Sequence, residues 1–323
     1  MGKKVLVTGS SGMLGNFVCP YLKEQGYKVA GFDVMSAGPD SANTKAGIPF
    51  VQGNLSSLGD CLKAIAFAQP DVIVHLGAVR FNTELQPPFA KEYNIKHTDG
   101  ARFIHRLPED AAMEINTMGT YYLMDAARRL GVKKVVAASS YFVLGLGFRL
   151  SGTSYQPEYL PMDENHPLLP EDTYSLSKVL GEEIYKAFVR AYDMRVVAMR
   201  FLGVYYHDNE VSRKQNQFGI TVPAATPEDQ GYLISGTYQY VDARDAAVFT
   251  RLSIEADNLA PFEPFFVATD TTYTEPTAVI AARRWPFLAH MAKDIPGTEG
   301  LISTKKAETL LGFKSLYTWR NQK

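Results

Sequence analysis

The sequence is short of cysteine, of net charge and of long apolar runs, and each shortage removes a class of protein. Its 323 residues include two cysteines, Cys19 and Cys61, which have neither the number nor the spacing of a disulfide framework or a zinc site. A reducing, cytoplasmic setting and no metal are therefore expected. With 33 basic and 34 acidic side chains the formal net charge is -1, which gives no electrostatic reason for a nucleic-acid or anionic-membrane partner. No apolar run is long enough for a bilayer, and "MGKKVLVTGSSG" reaches Thr8 and Gly9 too soon for a signal-peptide core. A soluble protein is expected. Internal repeats are lacking too.

What is there suits a folded α/β protein: 46% of residues are hydrophobic and 21% charged, enough to bury a sizeable core. Short β-branched runs such as "KVLVTG", "DVIVHLGA" and "KKVVAASS" alternate with helix-like stretches such as "MLGNFVCPYLKEQG" and "AAMEINTMGTYYLMDAARRLG". Apolar strands separated by helices predict a Rossmann-type, doubly wound parallel sheet covered on both faces. Pro20 sits inside the first predicted helix, where a kink is expected.

The predicted organisation is a dinucleotide-binding domain over residues 1–200, joined by a return of the chain over 237–269. Residues 79–110, polar and proline-bearing, read as an insertion near the substrate. Residues 201–236 and 270–323 read as a smaller C-terminal substrate-binding lobe.

"VLVTGSSGMLG" places Gly9, Gly12 and Gly15 between a strand and a helix. Glycines there let the backbone approach a pyrophosphate, which the helix N-terminus attracts, although such a loop also serves as a plain turn. Asp33 follows Gly15 by 18 residues, near the offset at which a carboxylate accepts the adenosine ribose hydroxyls. An acid there repels a 2′-phosphate and favours NAD over NADP.

"EDTYSLSK" sets Tyr174 and Lys178 one helical turn apart, after a strand whose end carries Ser139 and Ser140. Hydride transfer at a carbon bearing an alcohol or ketone needs a matching proton transfer at its oxygen. A tyrosine performs it only if its pKa falls from about 10 toward working pH, and a drop of ~3 units requires about 4 kcal/mol of phenolate stabilisation. A nearby ammonium and an oxidised nicotinamide are able to supply that. The plain alternative is a tyrosine packed at a helix start and a solvated lysine.

These features together resemble an extended short-chain dehydrogenase/reductase of the NAD-dependent epimerase/dehydratase type. The matching stretches are "TGSSGMLG" (8–15), Asp33, "GNL" (53–55), "HLGA" (75–78), "NTMGT" (116–120), "AASSYFVLG" (137–145), "YSLSK" (174–178), "MRFLGVY" (199–205) and "YVDARDAA" (240–247). The resemblance implies Tyr174 as acid/base, Lys178 as modulator of its pKa and ribose ligand, and Ser140 rather than Ser139 as the catalytic hydroxyl. It implies NAD held by Gly9, Ser11, Gly12, Met13, Leu14, Gly15, Asp33, Asn54, Leu55, Leu76, Gly77, Ala78, Asn116, Tyr174 and Lys178. Asn54 stands where the family usually has an aspartate beside the adenine. Asn116 matches an active-site hydrogen-bond position or a buried helix-stabilising amide.

Ser140 is followed by Tyr141 and Phe142 instead of the Asp-Glu pair of family dehydratases, so elimination loses its acid and base. Oxidation, reduction or epimerisation through a transient ketone remain. Only 41 positions separate Arg200 from Val241, short for a nucleotide-sugar site, which favours a smaller carbohydrate. Candidate substrate contacts are Arg80, Ser140, Tyr141 and Tyr174. Arg80, His97, Arg102, His105 and Arg106 of the insertion would suit an anionic substrate such as a sugar acid or phosphate; the plain alternative is an ordinary solvated insertion. The expected activity is an NAD-dependent carbohydrate oxidoreductase or epimerase. Alternatives are a nucleotide-sugar 4-epimerase and a non-catalytic NAD-responsive binding protein. A homodimer is implied, with the helices near 111–131 and 172–193 as its interface.

Overall fold

A computed structural model describes residues 2–80, 108, 110–215, 217–224 and 237–321. The expectations placed on His97, Arg102, His105 and Arg106 fall outside these residues. Two compact units emerge: Met1–Ser139 with Asp172–Ala198 and Ser253–Glu263, and Ser140–Glu171 with Met199–Leu252 and Pro264–Lys323.

The first unit opens as the alternation predicts: β1 (Lys4–Thr8), α1 (Gly15–Glu24), β2 (Lys28–Asp33), β3 (Phe50–Gln52), α2 (Leu58–Ala68) and β4 (Val72–His75). A π-helical turn, Ala112–Met118, leads into α3 (Gly119–Arg129) and β5 (Lys134–Ser140); then come α4 (Thr173–Tyr192) and β6 (Arg195–Phe201). With β9 (Phe262–Val267) the strands form a seven-stranded sheet in the order β3-β2-β1-β4-β5-β6-β9. The β3–β2, β2–β1, β1–β4 and β4–β5 pairs are all parallel. The order reverses at β1, where the chain steps from β3 across to β4, and such a switch point is where open α/β sheets bind ligands at the carboxyl ends of their strands.

Burial explains the strands. Val5, Leu6 and Val7 of β1 and Ile73 and Val74 of β4 are all at most 1% exposed, as expected of a sheet covered on both faces. Leu6, Phe32, Ile73, Leu123 and Phe188 share one apolar cluster with Ile65 of α2. α1 continues through Pro20 and buries Val18, Cys19 and Leu22.

The second unit holds its own apolar cluster around Tyr155, Met162, Phe266 and Trp285. In it, β8 (Gln239–Asp242) pairs in parallel with β7 (Gly203–Tyr205) and antiparallel with β10 (Asp270–Thr271). Of the predicted return to the main sheet, β9 therefore joins it while β8 belongs to a separate three-stranded sheet. Its last segment is tied down by Asp245, which accepts from the backbone N–H groups of Leu316 and Tyr317 at 2.9 and 3.2 Å.

Candidate active site

The glycine loop leaves β1 at Gly9, whose φ is +68° and whose N–H donates to Phe32 O at 2.9 Å. A Cβ there would lie 2.5 Å from Gly77 N, just beyond β4. At Gly12 the space is freer, since an added Cβ would meet only Gly9 O, at 3.1 Å. The protein's own packing thus requires glycine at position 9 more than at position 12.

Two asparagines that sequence reasoning missed hold this loop from behind. Asn16 donates to Ser11 O and Gly12 O at 3.1 and 3.0 Å, and Asn43 donates to Ser10 O at 2.6 Å. Asp33 accepts from Ser11 N at 2.9 Å and from Val34 N at 2.7 Å. α1 starts at Leu14 without a side-chain cap, leaving its positive end for an anion. The Ser11 hydroxyl oxygen is buried with no hydrogen-bond partner. A glycine at position 12, where a side chain would crowd Gly9 O, an uncapped helix end and a spare hydroxyl fit the pyrophosphate of a dinucleotide.

The remaining cofactor candidates are placed unevenly. Leu76 N donates to Thr8 O at 3.1 Å and Gly77 N to Thr8 Oγ1 at 3.2 Å, so the chain beyond β4 stays against the loop. Leu55 is part of the apolar core. Asn54 is exposed, and its side-chain oxygen accepts from Ser56 N at 3.1 Å. Met13 lies beside Arg80, whose guanidinium is 3.3 Å from the Met13 sulfur. That contact sets Arg80 next to the glycine loop.

α4 begins at Asp172, a buried N-cap that accepts from Ser175 N at 2.9 Å and Ser175 Oγ at 2.6 Å. The cap fixes the first turn, which bears Tyr174, and the next, which bears Lys178. Lys178 Nζ donates to Ala138 O near the end of β5 at 3.0 Å and lies 5.8 Å from the centre of the Tyr174 ring. Burial pulls the Lys178 ammonium down to about 8, against the opposing pull of Glu182. Ser139 Oγ donates to the buried Glu182 at 2.7 Å, while Ser140 Oγ accepts from Phe142 N at 3.2 Å. Tyr141 packs its ring 4.5 Å from that of Phe142.

Behind this pair runs a buried polar chain. His75 links Thr8 Oγ1 at 2.7 Å to Thr120 Oγ1 at 3.2 Å. Burial, and secondarily Lys178, holds His75 down to about 3, so its imidazole is neutral. Asn116, in the π-helical turn, accepts from Val79 N at 2.7 Å and donates to Val79 O at 2.8 Å and Ser177 Oγ at 3.0 Å. Its amide thereby pins the chain beyond β4 to α4. A small polar cavity lies between these groups, lined by His75, Asn116, Thr120, Ser139 and Lys178.

Comparison with known proteins agrees with this layout. A sequence profile of the NAD dependent epimerase/dehydratase family matches residues 5–88 and 104–265. UDP-glucose 4-epimerase of Mycolicibacterium smegmatis is 30% identical over 195 residues, 59% of this chain and 53% of that protein. The matched stretch spans about half the length of that curated relative. Among solved structures, UDP-glucose 4-epimerase of Thermus thermophilus in complex with NAD superposes with a TM-score of 0.62 at 21% identity, covering 98% of this chain and 95% of that one. A mutated uronate dehydrogenase gives 0.59 at 19% identity, covering 100% and 86%. Both share the fold.

Proposed function

This chain belongs to the NAD dependent epimerase/dehydratase family, and from that premise we propose that it is an NAD-dependent enzyme moving a hydride at a secondary alcohol or ketone of a carbohydrate. The observation that carries the proposal is the placement of Lys178, tethered to Ala138 O with its ammonium 5.8 Å from the Tyr174 ring. The glycine loop, α1 and Asp33 hold NAD, which when bound supplies the hydride acceptor or donor. Tyr174 takes the proton from the substrate hydroxyl as its carbon is oxidised, and returns it on reduction. The Lys178 cation favours the phenolate form that accepts it. In this reading Ser140 steadies the substrate oxygen.

A second reading, a nucleotide-sugar 4-epimerase, draws support from relatives that are UDP-glucose 4-epimerases. The two separate on a panel of sugars, sugar acids and UDP-sugars incubated with NAD. Net absorbance at 340 nm marks a dehydrogenase, whereas a new sugar isomer without it marks an epimerase. NAD binding with neither outcome across the panel would favour a non-catalytic NAD-responsive protein.

The assembly in this reading is a homodimer in the cytoplasm. No described helix is long and apolar enough to cross a membrane. α3, α4 and the turn before α3 expose Met118, Tyr121, Leu176 and Tyr192, each at least 40% accessible. Such a set of large apolar side chains suits a second copy of the same helices.

A further inference from the structure

We propose that Glu182 is a positioning residue for this chemistry, keeping Lys178 a cation while tying its helix to the end of β5. The inference rests on the hydride-transfer reading above and adds a residue to it. Glu182 is fully buried on α4, one i,i+4 step beyond Lys178, the spacing at which two side chains share a helix face. Its carboxylate accepts from Ser139 Oγ at 2.7 Å, and Ala138, next in the chain, accepts from Lys178 Nζ at 3.0 Å. Two adjacent residues of β5 thus hold two side chains of α4, one anionic and one cationic. Ser139 is thereby drawn toward α4.

A carboxylate is costly to bury unless it is hydrogen-bonded or near a cation, and Glu182 has the Ser139 hydroxyl at 2.7 Å and Lys178 one helical turn away. The groups around Lys178 leave Glu182 as the anion acting on it. His75, from β4, is neutral. Tyr185, on α4, is pushed above its usual range by burial and then by Glu182 itself. Asp125, on the neighbouring α3, is paired with Arg128 and Arg129 at 2.7 and 2.8 Å, and Glu114 of the π-helical turn is exposed. Among the described residues, β5 brings Ala138 and Ser139 to the cavity beside Lys178, both uncharged. Against burial, which strips the proton from Lys178, the Glu182 charge works to retain it.

Lysine labelled with 13C at Cε, its Lys178 signal assigned through Lys178→Arg, reads the titration directly and needs no substrate. The wild-type midpoint is expected near the value of about 8 that burial and Glu182 set together, and Glu182→Gln lowers it by about one unit. At pH 8 that change leaves about a tenth instead of half of Lys178 charged, so kcat/KM on any substrate found falls about fivefold. A Glu182→Gln midpoint equal to the wild-type one overturns the proposal. If that variant does not fold, a wild-type midpoint below about 7 overturns it, because Lys178 would then be uncharged at neutral pH despite its neighbour. Absence of turnover across the sugar panel would sink the hydride-transfer reading while leaving the titration interpretable.

Discussion

Gly9 and Gly12 lie three residues apart, yet the structure asks for them on different grounds. At Gly9 the backbone is left-handed and a Cβ would strike Gly77 N at 2.5 Å, so Gly9→Ala is expected to destabilise the fold itself. At Gly12 a Cβ meets Gly9 O alone, a tight contact of 3.1 Å but with no left-handed backbone, and in the proposed reading the residue matters more for the dinucleotide that approaches from outside. Gly12→Ala should lose less Tm than Gly9→Ala while weakening NAD binding about tenfold or more, read by calorimetric titration. Equal losses of Tm in both variants would contradict this division. The glycine loop, Asp33, Tyr174 and Lys178 were legible in the sequence because each is a local pattern at a fixed offset. Asn16, Asn43, His75 and Glu182 were not. The last three act through partners 33 to 67 residues away, and Asn16 through a loop geometry that no periodicity encodes.

At the scale of elements, α4 is the part on which the proposed chemistry depends, and its first turn is set by one side chain. Asp172 is 1% exposed and accepts from both the N–H and the hydroxyl of Ser175. Asp172→Ala is expected to cost about 1–2 kcal/mol and to lower kcat along with Tm, because the turn it fixes carries Tyr174. A scanning-calorimetry trace and a kcat both unchanged would show that the cap has no part in placing the phenol. Repetition of apolar strands and helices made β1 to β6 readable. The assignment of β8 failed because four residues, "QYVD", show no more than a strand. Which strand it pairs with depends on β7 and β10, three and two residues long.

For the molecule as a whole, the doubly wound sheet was legible because so many elements repeat one rhythm, while a homodimer came only from the resemblance, because exposure cannot be read from a helix alone. Tyr121 is 43% accessible and its ring lies 5.7 Å from that of Phe188, joining α3 to α4 on one face. For the homodimer proposed above, Tyr121→Arg is expected to give a monomer in light scattering, and a dimer mass unaltered by the change would remove that face from the interface. The central claim concerns proton transfer, and Tyr174→Phe tests it most directly, because it deletes one oxygen and leaves Lys178 tethered to Ala138. The measurement is kcat for wild type and variant on the substrate the sugar panel identifies, with NAD affinity determined alongside. The account predicts a loss of about 10²- to 10⁴-fold in kcat with NAD still bound; a variant that turns over at the wild-type rate would contradict it.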